Sequence, residues 1–285
     1  MKPAPFTYLA PHSLEEAVAL LSQHGDEAKV LAGGQSLIPM MAFRLATPSV
    51  LIDVNGVAEL EHQRLEGDTL ALGALSRHRV VADLGLRQRC AVLAEGIDLI
   101  GHPAIRNRGT VGGSIAHGDP AAEWPAIILA LDGQVDAVGP GGRRTIDAAD
   151  LFVTYFTTSL APEEILAEVR LPLPIGGRVR STFVELARRH GDFALVGVVA
   201  MAELAGDGSM HDPRLALIGL ADRPIRAHAA EDALRGQKPT DEVLDEAAHS
   251  VDGEIDPVSD VHGSARYRRH VAKVLVRRAL ASIVR

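Results

Sequence analysis

The sequence predicts an α+β protein built from two domains. The chain has 285 residues, and at about 150 residues per domain this length favours two domains. In the second half, strand-like segments precede helical ones, an order that is typical of an α+β domain. Two prolines and two glycines interrupt regular structure at residues 172–177. We therefore expect a first domain at residues 1–176 and a second at residues 177–285.

The first part of the chain mixes helix and strand signals. Ser13 and Glu16 form a capping box that predicts the start of a helix, and Gly25 is a plausible end. Ser36 is placed to cap a second helix, which would carry Leu37, Met40, Met41 and Leu45 on its apolar face. A short apolar run at residues 30–32 breaks at Gly33 and Gly34. Strands are predicted at residues 50–52 and 69–72.

Later segments complete the expected elements. The polar, glycine-rich stretch Gly101–Pro120 is expected to lack regular structure, and such long stretches in compact domains are usually functional. Glycines and a proline at residues 139–142 predict a hairpin between two strands. Further strands are expected at residues 165–171, 182–186, 194–204 and 214–220, and helices at residues 227–234, 241–250 and 267–284.

Charge and hydropathy exclude several classes of protein. The formal net charge is −8 and aromatic residues make up 4% of the chain, so a nucleic-acid-binding surface is not expected. The longest uncharged apolar stretch, residues 193–202, is about half the ~20 residues of a transmembrane helix. The first residues lead into no apolar segment of a secretory signal. We therefore expect a cytoplasmic protein with no integral membrane segment.

The sequence contains no complete copy of the common motifs for metal binding, phosphate binding or nucleophilic catalysis. One cysteine, Cys90, excludes an intramolecular disulfide framework and a cysteine-rich zinc or iron–sulfur site in this chain. A dinucleotide fingerprint could begin at Gly139 and Gly141, but Arg144 stands where a third glycine is needed. The sequence has no P-loop, no H-E-x-x-H zinc helix and no G-x-S-x-G nucleophile elbow. We predict no metal site.

Two glycine loops stand out instead. Each places two glycines and a hydroxyl residue beside apolar residues, at 32–36 and at 110–114. Glycine permits positive φ and close backbone approach, and successive amides in such turns can hold an anion. Neither loop contains Lys or Arg, so a pyrophosphate would be held mainly by backbone N–H groups. Two tight turns with nothing bound remain the alternative.

Both loops resemble sequences of a known family. Residues 30–41 and 105–114, the latter continued by residues 116–120, strongly resemble the FAD loops of the medium, flavin-carrying subunit of molybdenum hydroxylases. The resemblance is to the aerobic carbon monoxide dehydrogenase type of the xanthine dehydrogenase family and covers nearly the whole chain. It implies an FAD-binding domain of the vanillyl-alcohol oxidase (PCMH) type, followed by a C-terminal α+β domain of antiparallel sheet and helices.

The resemblance also implies roles for individual residues. The two loops would hold the FAD pyrophosphate, Glu123 would accept hydrogen bonds from flavin hydroxyls, and Phe193 would cover one face of the ring. Ile100 would be an apolar neighbour of the ring, and the backbone of Leu166 would lie near the isoalloxazine or the adenine. No catalytic acid, base or nucleophile is expected. The implied cofactor-binding residues are Ala32, Gly33, Gly34, Gln35, Ser36, Leu37, Ile100, Thr110, Val111, Gly112, Gly113, Ser114, Glu123, Leu166 and Phe193.

The chain departs from the family pattern at a few positions. Relatives usually have tyrosine at Phe193, so a hydroxyl contact is lost here while a ring remains. A lysine that can approach the flavin in relatives is absent near residues 182–187, where this chain has Val184 and Glu185. Some relatives have a histidine at Gln35, and with Cys90 as the one cysteine we expect noncovalent FAD. Valine at Gly33 or at Gly112 is expected to abolish FAD binding while leaving much of the fold intact, because a β-branched residue disfavours positive φ and blocks close approach to phosphate.

The resemblance implies a place in a larger enzyme. A large partner subunit would carry molybdopterin and oxidise the substrate, and a small partner subunit would pass electrons through [2Fe–2S] clusters to FAD. The expected assembly is a dimer of heterotrimers, a heterohexamer, and reduced flavin would serve an external acceptor. Carbon monoxide, N-heterocycles, purines and aldehydes remain open as substrates. The alternatives are a free-standing flavin oxidoreductase and a cofactor-free scaffold subunit.

Overall fold

The chain begins with a small parallel sheet that ends at the first glycine loop. The structure is a computed structural model and describes residues 2–174 and 178–284. Three parallel strands form this sheet in the order β1-β3-β2: β1 (Thr7–Leu9), β2 (Ala28–Leu31) and β3 (Val50–Asp53). Helix α1 (Leu14–His24) connects the first two strands, and the short helix α2 (Leu37–Ala42) follows the loop.

The predicted start of α1 is confirmed, with Ser13 as its N-cap. The Glu16 amide donates to Ser13 Oγ at 3.1 Å, but the Glu16 carboxylate accepts from the amide of His12, at 2.8 Å, where a full capping box would use the amide of Ser13. The apolar face expected for α2 is partly wrong. Met41 is buried, but Leu45 lies beyond the helix and is 75% exposed.

A five-stranded antiparallel sheet forms the centre of the first half. Its order is β4-β5-β10-β6-β7, and the predicted hairpin at residues 139–142 is confirmed as the turn between its last two strands. The strands are β4 (Gln63–Glu66), β5 (Thr69–Gly73), β6 (Gln134–Gly139), β7 (Gly142–Asp147) and β10 (Ile165–Pro172). A two-stranded ribbon, β8 (Phe152–Thr154) and β9 (Thr157–Thr158), precedes the central strand.

Short helices complete the first half, and they include the segment that the sequence predicts to be irregular. That expectation for residues 101–120 is wrong, because Pro103 opens one helix and Thr110 caps another through a 3.1 Å bond from the Gly113 amide. These helices are α3 (His78–Ala82), α4 (Ala91–Leu99), α5 (Pro103–Arg108), α6 (Val111–His117), α7 (Glu123–Ala130) and α8 (Ala148–Leu151).

The second half places helices on one face of an antiparallel sheet, as the order of segments predicts. Its strands, in the order β11-β12-β13-β14, are β11 (Val179–Leu186), β12 (Val196–Leu204), β13 (Met210–Ile218) and β14 (Ile225–Arg226). The three predicted helices are confirmed as α9 (His228–Leu234), α10 (Asp241–Ser250) and α11 (Ala265–Ile283).

Both faces of this second sheet are buried. Along β12, Val199 and Met201 pack into the core of the first half, whereas Val198 and Ala200 pack against the C-terminal helices. The predicted domain boundary between residues 176 and 177 lies outside the described residues and stays a prediction. Among the described residues, no helix is both long enough and apolar enough to cross a membrane.

Candidate functional site

The two glycine loops lie side by side, although 79 residues separate Gly33 from Gly112 in the sequence. A Cβ atom on Gly33 would lie 2.4 Å from the carbonyl oxygen of Arg108 and 2.8 Å from the Cα atom of Gly109. A Cβ on Gly113 would lie 3.8 Å from the Cβ of Ala32. The absence of a side chain at Gly33 is therefore what lets the two backbones meet.

The first loop, residues 32–36, offers free backbone donors. It turns at Gly34, whose φ is +73°. Within the described residues, no acceptor in the chain receives a hydrogen bond from the amides of Gly33, Gly34, Gln35 and Ser36. Ser36 does take the N-cap position of α2, but its side chain makes no capping bond. A run of free amides in a tight turn is suited to hold an anion.

The second loop, residues 110–114, uses its amides internally. The Gly112 amide donates to the carbonyl of Ala74 at 3.0 Å, and a Cβ on Gly112 would lie 2.5 Å from the Cβ of Ala74. The amides of Val111, Gly113 and Ser114 donate, at 2.9–3.1 Å, to the carbonyl of Ser76 and to Thr110. Four of the five amides of this loop are therefore used within the chain. The loop forms a close-packed wall of the site, and the run of four free backbone donors belongs to the first loop.

A hydrogen-bonded network that the sequence analysis missed fixes the first loop. Asn55 Nδ2 donates to the Ala32 carbonyl at 2.9 Å, and its Oδ1 accepts from Arg77 at 2.6 Å. Arg77 also donates to the Arg108 carbonyl, which joins the two loops. The signal in the sequence is Asp53-x-Asn55 at the carboxyl end of β3, because the carboxyl ends of neighbouring parallel strands share one edge of the sheet.

Asp53 holds Asn55 in this network. Its carboxylate accepts from the Asn55 amide at 2.9 Å and from the hydroxyl of Tyr8 at 2.6 Å. Burial opposes ionisation of Asp53, but the hydrogen bonds from Tyr8 and Asn55 outweigh it and lower the pKa of the carboxyl. An ionised Asp53 keeps the Asn55 side chain in the orientation that holds the Ala32 carbonyl.

A buried histidine supports the approach to the second loop. Trp124 Nε1 donates to His78 Nδ1 at 2.9 Å, and a Cβ on Gly109 would lie 2.7 Å from His78 Nε2. Burial lowers the pKa of His78 to about 4, helped by the charges of Arg106 and Arg77. The ring is therefore neutral, with Nδ1 as its acceptor, and it packs directly under Gly109.

The three apolar residues predicted to contact FAD occupy different places around the loops. Ile100 is buried at the end of α4. Leu166 is buried in β10, and its neighbour Ala167 accepts from the amide of Ala74, which itself packs against Gly112. Phe193 lies on the loop before β12 and is 59% exposed. The structure thus places Leu166 close to the second loop and leaves the ring of Phe193 open to contact.

The loop of Phe193 is packed onto the segment that follows Ile100. A Cβ on Gly191 would lie 2.8 Å from the ring of His102. Phe193 also borders a cleft of about 580 Å³, which lies between the residues before α7 and the second half of the chain. Ala121, Tyr155 and Val258 line the same cleft. Its volume falls in the range of small-molecule sites.

Glu123, the predicted acceptor for flavin hydroxyls, is the first residue of α7 and is 5% exposed. Its carboxyl receives no hydrogen bond from another residue among those described. Burial raises the pKa of Glu123 to about 8, and the nearby acids Glu185 and Asp119 add to the rise. A buried polar group without a partner is costly, so this carboxyl is suited to take hydrogen bonds from a ligand.

The geometry fits FAD. The four free amides suit a phosphate group, the missing Cβ atoms allow close approach, and a buried carboxyl and an open ring lie in the surrounding elements. Among the residues that the structure describes, no group of three or more His, Cys, Asp or Glu side chains could hold a metal ion.

Comparison with known proteins decides the family. The family described as the FAD binding domain in molybdopterin dehydrogenase matches residues 4–174. The chain belongs to this family. A second family, the CO dehydrogenase flavoprotein C-terminal domain, matches residues 181–283.

Relatives in this family align over nearly their whole length. The subunit alpha of the 6-hydroxypseudooxynicotine dehydrogenase complex of Paenarthrobacter nicotinovorans is 41% identical over 99% of this chain and 95% of its own. The carbon monoxide dehydrogenase medium chain of Hydrogenophaga pseudoflava is 38% identical over 98% of this chain and 97% of its own. A carbon monoxide dehydrogenase structure from Hydrogenophaga pseudoflava superposes with a TM-score of 0.96 at 39% identity, covering 99% of this chain and 98% of that one.

These comparisons confirm the family resemblance, the α+β fold class and the FAD cofactor. They also confirm that the chain is an oxidoreductase subunit, the FAD-binding medium subunit of the molybdenum hydroxylase family.

Proposed function

We propose that this chain holds FAD between an iron–sulfur partner and an external electron acceptor. Electrons would arrive from [2Fe–2S] clusters of a small subunit and leave to an acceptor outside the complex. The observation that carries the proposal is the row of four free amides in residues 32–36, set against the second glycine loop. No catalytic acid, base or nucleophile is needed for this role.

The chain's residues would bind and orient the cofactor. The first loop would take the pyrophosphate, with residues 110–114 as the packed wall beside it and Leu37, Ile100 and Leu166 as apolar neighbours. Glu123 would accept hydrogen bonds from hydroxyls of FAD, and Phe193 would cover one face of the ring. When bound, FAD supplies the redox centre that takes up and releases electrons.

The proposed partners are a large subunit with molybdopterin and a small subunit with [2Fe–2S] clusters, assembled as a dimer of heterotrimers. Subunit names of relatives, such as medium chain and subunit alpha, support a multi-subunit enzyme. The large subunit would select the substrate, either an N-heterocycle or carbon monoxide. The proposed location is the cytoplasm, where the buried free thiol of Cys90 would stay reduced.

Noncovalent attachment gives the first prediction. Cys90 is fully buried at the N-cap of α4, and Gln35 offers no nucleophile for a bond to the flavin. Acid precipitation of the purified chain should therefore release FAD into the supernatant, where its absorption spectrum and mass identify it. Flavin that stays with the precipitated protein would contradict noncovalent binding, and release of FMN would remove the need for a pyrophosphate site.

The second prediction tests the electron path. Substrate added to the purified complex should bleach the flavin absorption rapidly, because electrons reach FAD through the partner subunits. The same substrate added to the isolated, FAD-loaded chain should leave its spectrum unchanged. Dithionite, which reduces free flavin directly, controls for a redox-competent cofactor in both samples.

The two alternative functions, a free-standing oxidoreductase and a scaffold subunit, predict different results in this experiment. A free-standing oxidoreductase would be reduced by substrate without its partners. A scaffold subunit would contain no flavin at all, and its visible spectrum would be empty.

A further inference from the structure

Glu185 stands at the end of a row of side chains that faces the first half of the chain. β11 is an edge strand, and its residues alternate between two faces. Ser181 Oγ accepts from the amide of Val92 in α4 at 3.3 Å, and Phe183 would be 3.1 Å from a Cβ on Gly96 in the same helix. Glu185 is the next residue on that face, which directs its carboxyl towards α4 and the start of α7.

Two acidic side chains lie at this junction. Glu185 Oε2 is buried and has no hydrogen bond in the described chain, and Glu123 is 5% exposed and receives no hydrogen bond from another described residue. Burial, followed by the charge of Glu185, raises the pKa of Glu123 to about 8, and burial raises the pKa of Glu185 to about 7. Each ionised carboxylate makes ionisation of the other more costly, so the pair favours keeping one proton.

Charged groups on the facing elements do not neutralise the pair. The carboxylate of Glu95 in α4 accepts hydrogen bonds from the Phe183 amide at 2.8 Å and from the Thr182 hydroxyl at 3.0 Å. In the segment before α7, Asp119 accepts from the Ala121 amide, and burial lowers the pKa of His117 and so favours its neutral form.

The remaining two elements around Glu185 contribute no free charge. Its register partner on β12 is Gly197, which has no side chain. Helix α11 covers the opposite face of β11, where Val184 and Leu186 lie, and its buried Arg268 is engaged with the Leu195 carbonyl and Asp260.

We propose that Glu185 is a positioning residue: while it carries the one proton that the two acids retain, Glu123 can ionise and accept hydrogen bonds from FAD hydroxyls. This inference rests on the proposed FAD site. In the free chain the more buried Glu123 favours the proton. Hydroxyl donors from FAD would stabilise the ionised form of Glu123, and the proton would then reside on Glu185. Loss of this last proton leaves two buried negative charges and weakens FAD binding.

The test is the affinity of the full-length, FAD-free chain for FAD between pH 6 and pH 9.5, followed by quenching of flavin fluorescence. The wild-type Kd should rise by about tenfold between pH 8 and pH 9.5, as one proton is lost. Glu185→Gln, a neutral isostere that cannot lose a proton, should change by less than about threefold over that range. Glu163→Gln alters an exposed glutamate outside the site and should behave like the wild type.

Glu123→Gln separates the two acids. It should weaken FAD binding at every pH, because a neutral amide oxygen is a weaker acceptor than an ionised carboxylate, and it should also lack the alkaline rise. Circular dichroism at each pH reports whether a variant is folded, and Glu185→Met, of similar size and without charge, replaces Glu185→Gln if the latter is unfolded. A wild-type affinity that is independent of pH, or a rise that persists in the folded Glu185 variant, would overturn the proposal. Absence of FAD binding at every pH would overturn the FAD site itself and this proposal with it.

Discussion

Gly33→Ala is expected to reduce FAD affinity by at least about 100-fold, which corresponds to about 2.7 kcal/mol. A Cβ at this position would lie 2.4 Å from the carbonyl oxygen of Arg108, well inside van der Waals contact. Since the obstacle is backbone, no side-chain rotation relieves it, and the two loops must separate. Separation moves the free amides of residues 33–36 away from the wall formed by the second loop.

The measurement is the ratio of bound flavin to protein after purification, followed by titration with FAD. Gly141→Ala is the matched control, because a Cβ there meets nothing within 4 Å and Gly141 lies in the hairpin between β6 and β7. It should retain full flavin content. Full flavin content in Gly33→Ala would mean that the loops are ordinary turns.

The physical reason for this effect differs from the one that the sequence predicts. Positive φ occurs at Gly34 but not at Gly33 or Gly112. Gly112 is glycine because α6 packs directly on Ala74, at 2.5 Å from a would-be Cβ. Substitution at Gly112 should therefore disturb the buried packing of the first half as well as FAD binding, and the expectation of an intact fold is dropped for that position.

Glu123→Gln is expected to stabilise the FAD-free chain at pH 9 by about 2 to 4 kcal/mol and to leave its stability at pH 4 nearly unchanged. Burial and the charge of Glu185 raise the pKa of Glu123 in the folded chain to about 8, above the ordinary glutamate value of 4.5. The stability that the raised pKa contributes is fully present at pH values below the pKa of Glu123 in the unfolded chain. It is lost as the pH rises towards the pKa of Glu123 in the folded chain. Glutamine resembles the protonated acid, so the gain appears at alkaline pH.

Thermal unfolding of the FAD-free proteins at pH 4 and pH 9 measures this difference. Glu163→Gln, at an exposed position, should show no change at either pH. An equal shift of Tm for Glu123→Gln at both pH values would show that the effect comes from packing and not from ionisation.

Local signals in the sequence were sufficient for several elements. The Ser13 N-cap of α1 and the glycine turn at residues 139–142 are formed by neighbouring residues, so they can be predicted without knowledge of the fold. Residues 101–120 could not be predicted in this way. Two adjacent glycines argue against a helix, and α6 forms because they let it pack on Ala74, a contact 38 residues away in sequence.

The candidate site, too, has parts that neighbouring residues predict and parts that depend on distant contacts. Its two glycine loops are visible in the sequence, but the unequal use of their amides depends on which carbonyls lie behind residues 110–114. The role of Asn55 depends on β3 lying between β1 and β2, which no local pattern determines.

The sheet of the second half has consequences for how the chain folds. Its strands give one row of apolar side chains, including Phe183 and Ile218, to the core of the FAD-binding half and another row to their own helices. A fragment that stopped before this sheet would expose the apolar surface of α4 and α7 to water, so neither half has a complete interior alone. Melting should therefore be cooperative across the whole chain, and a substitution deep in the C-terminal helices can weaken flavin retention without touching the cofactor.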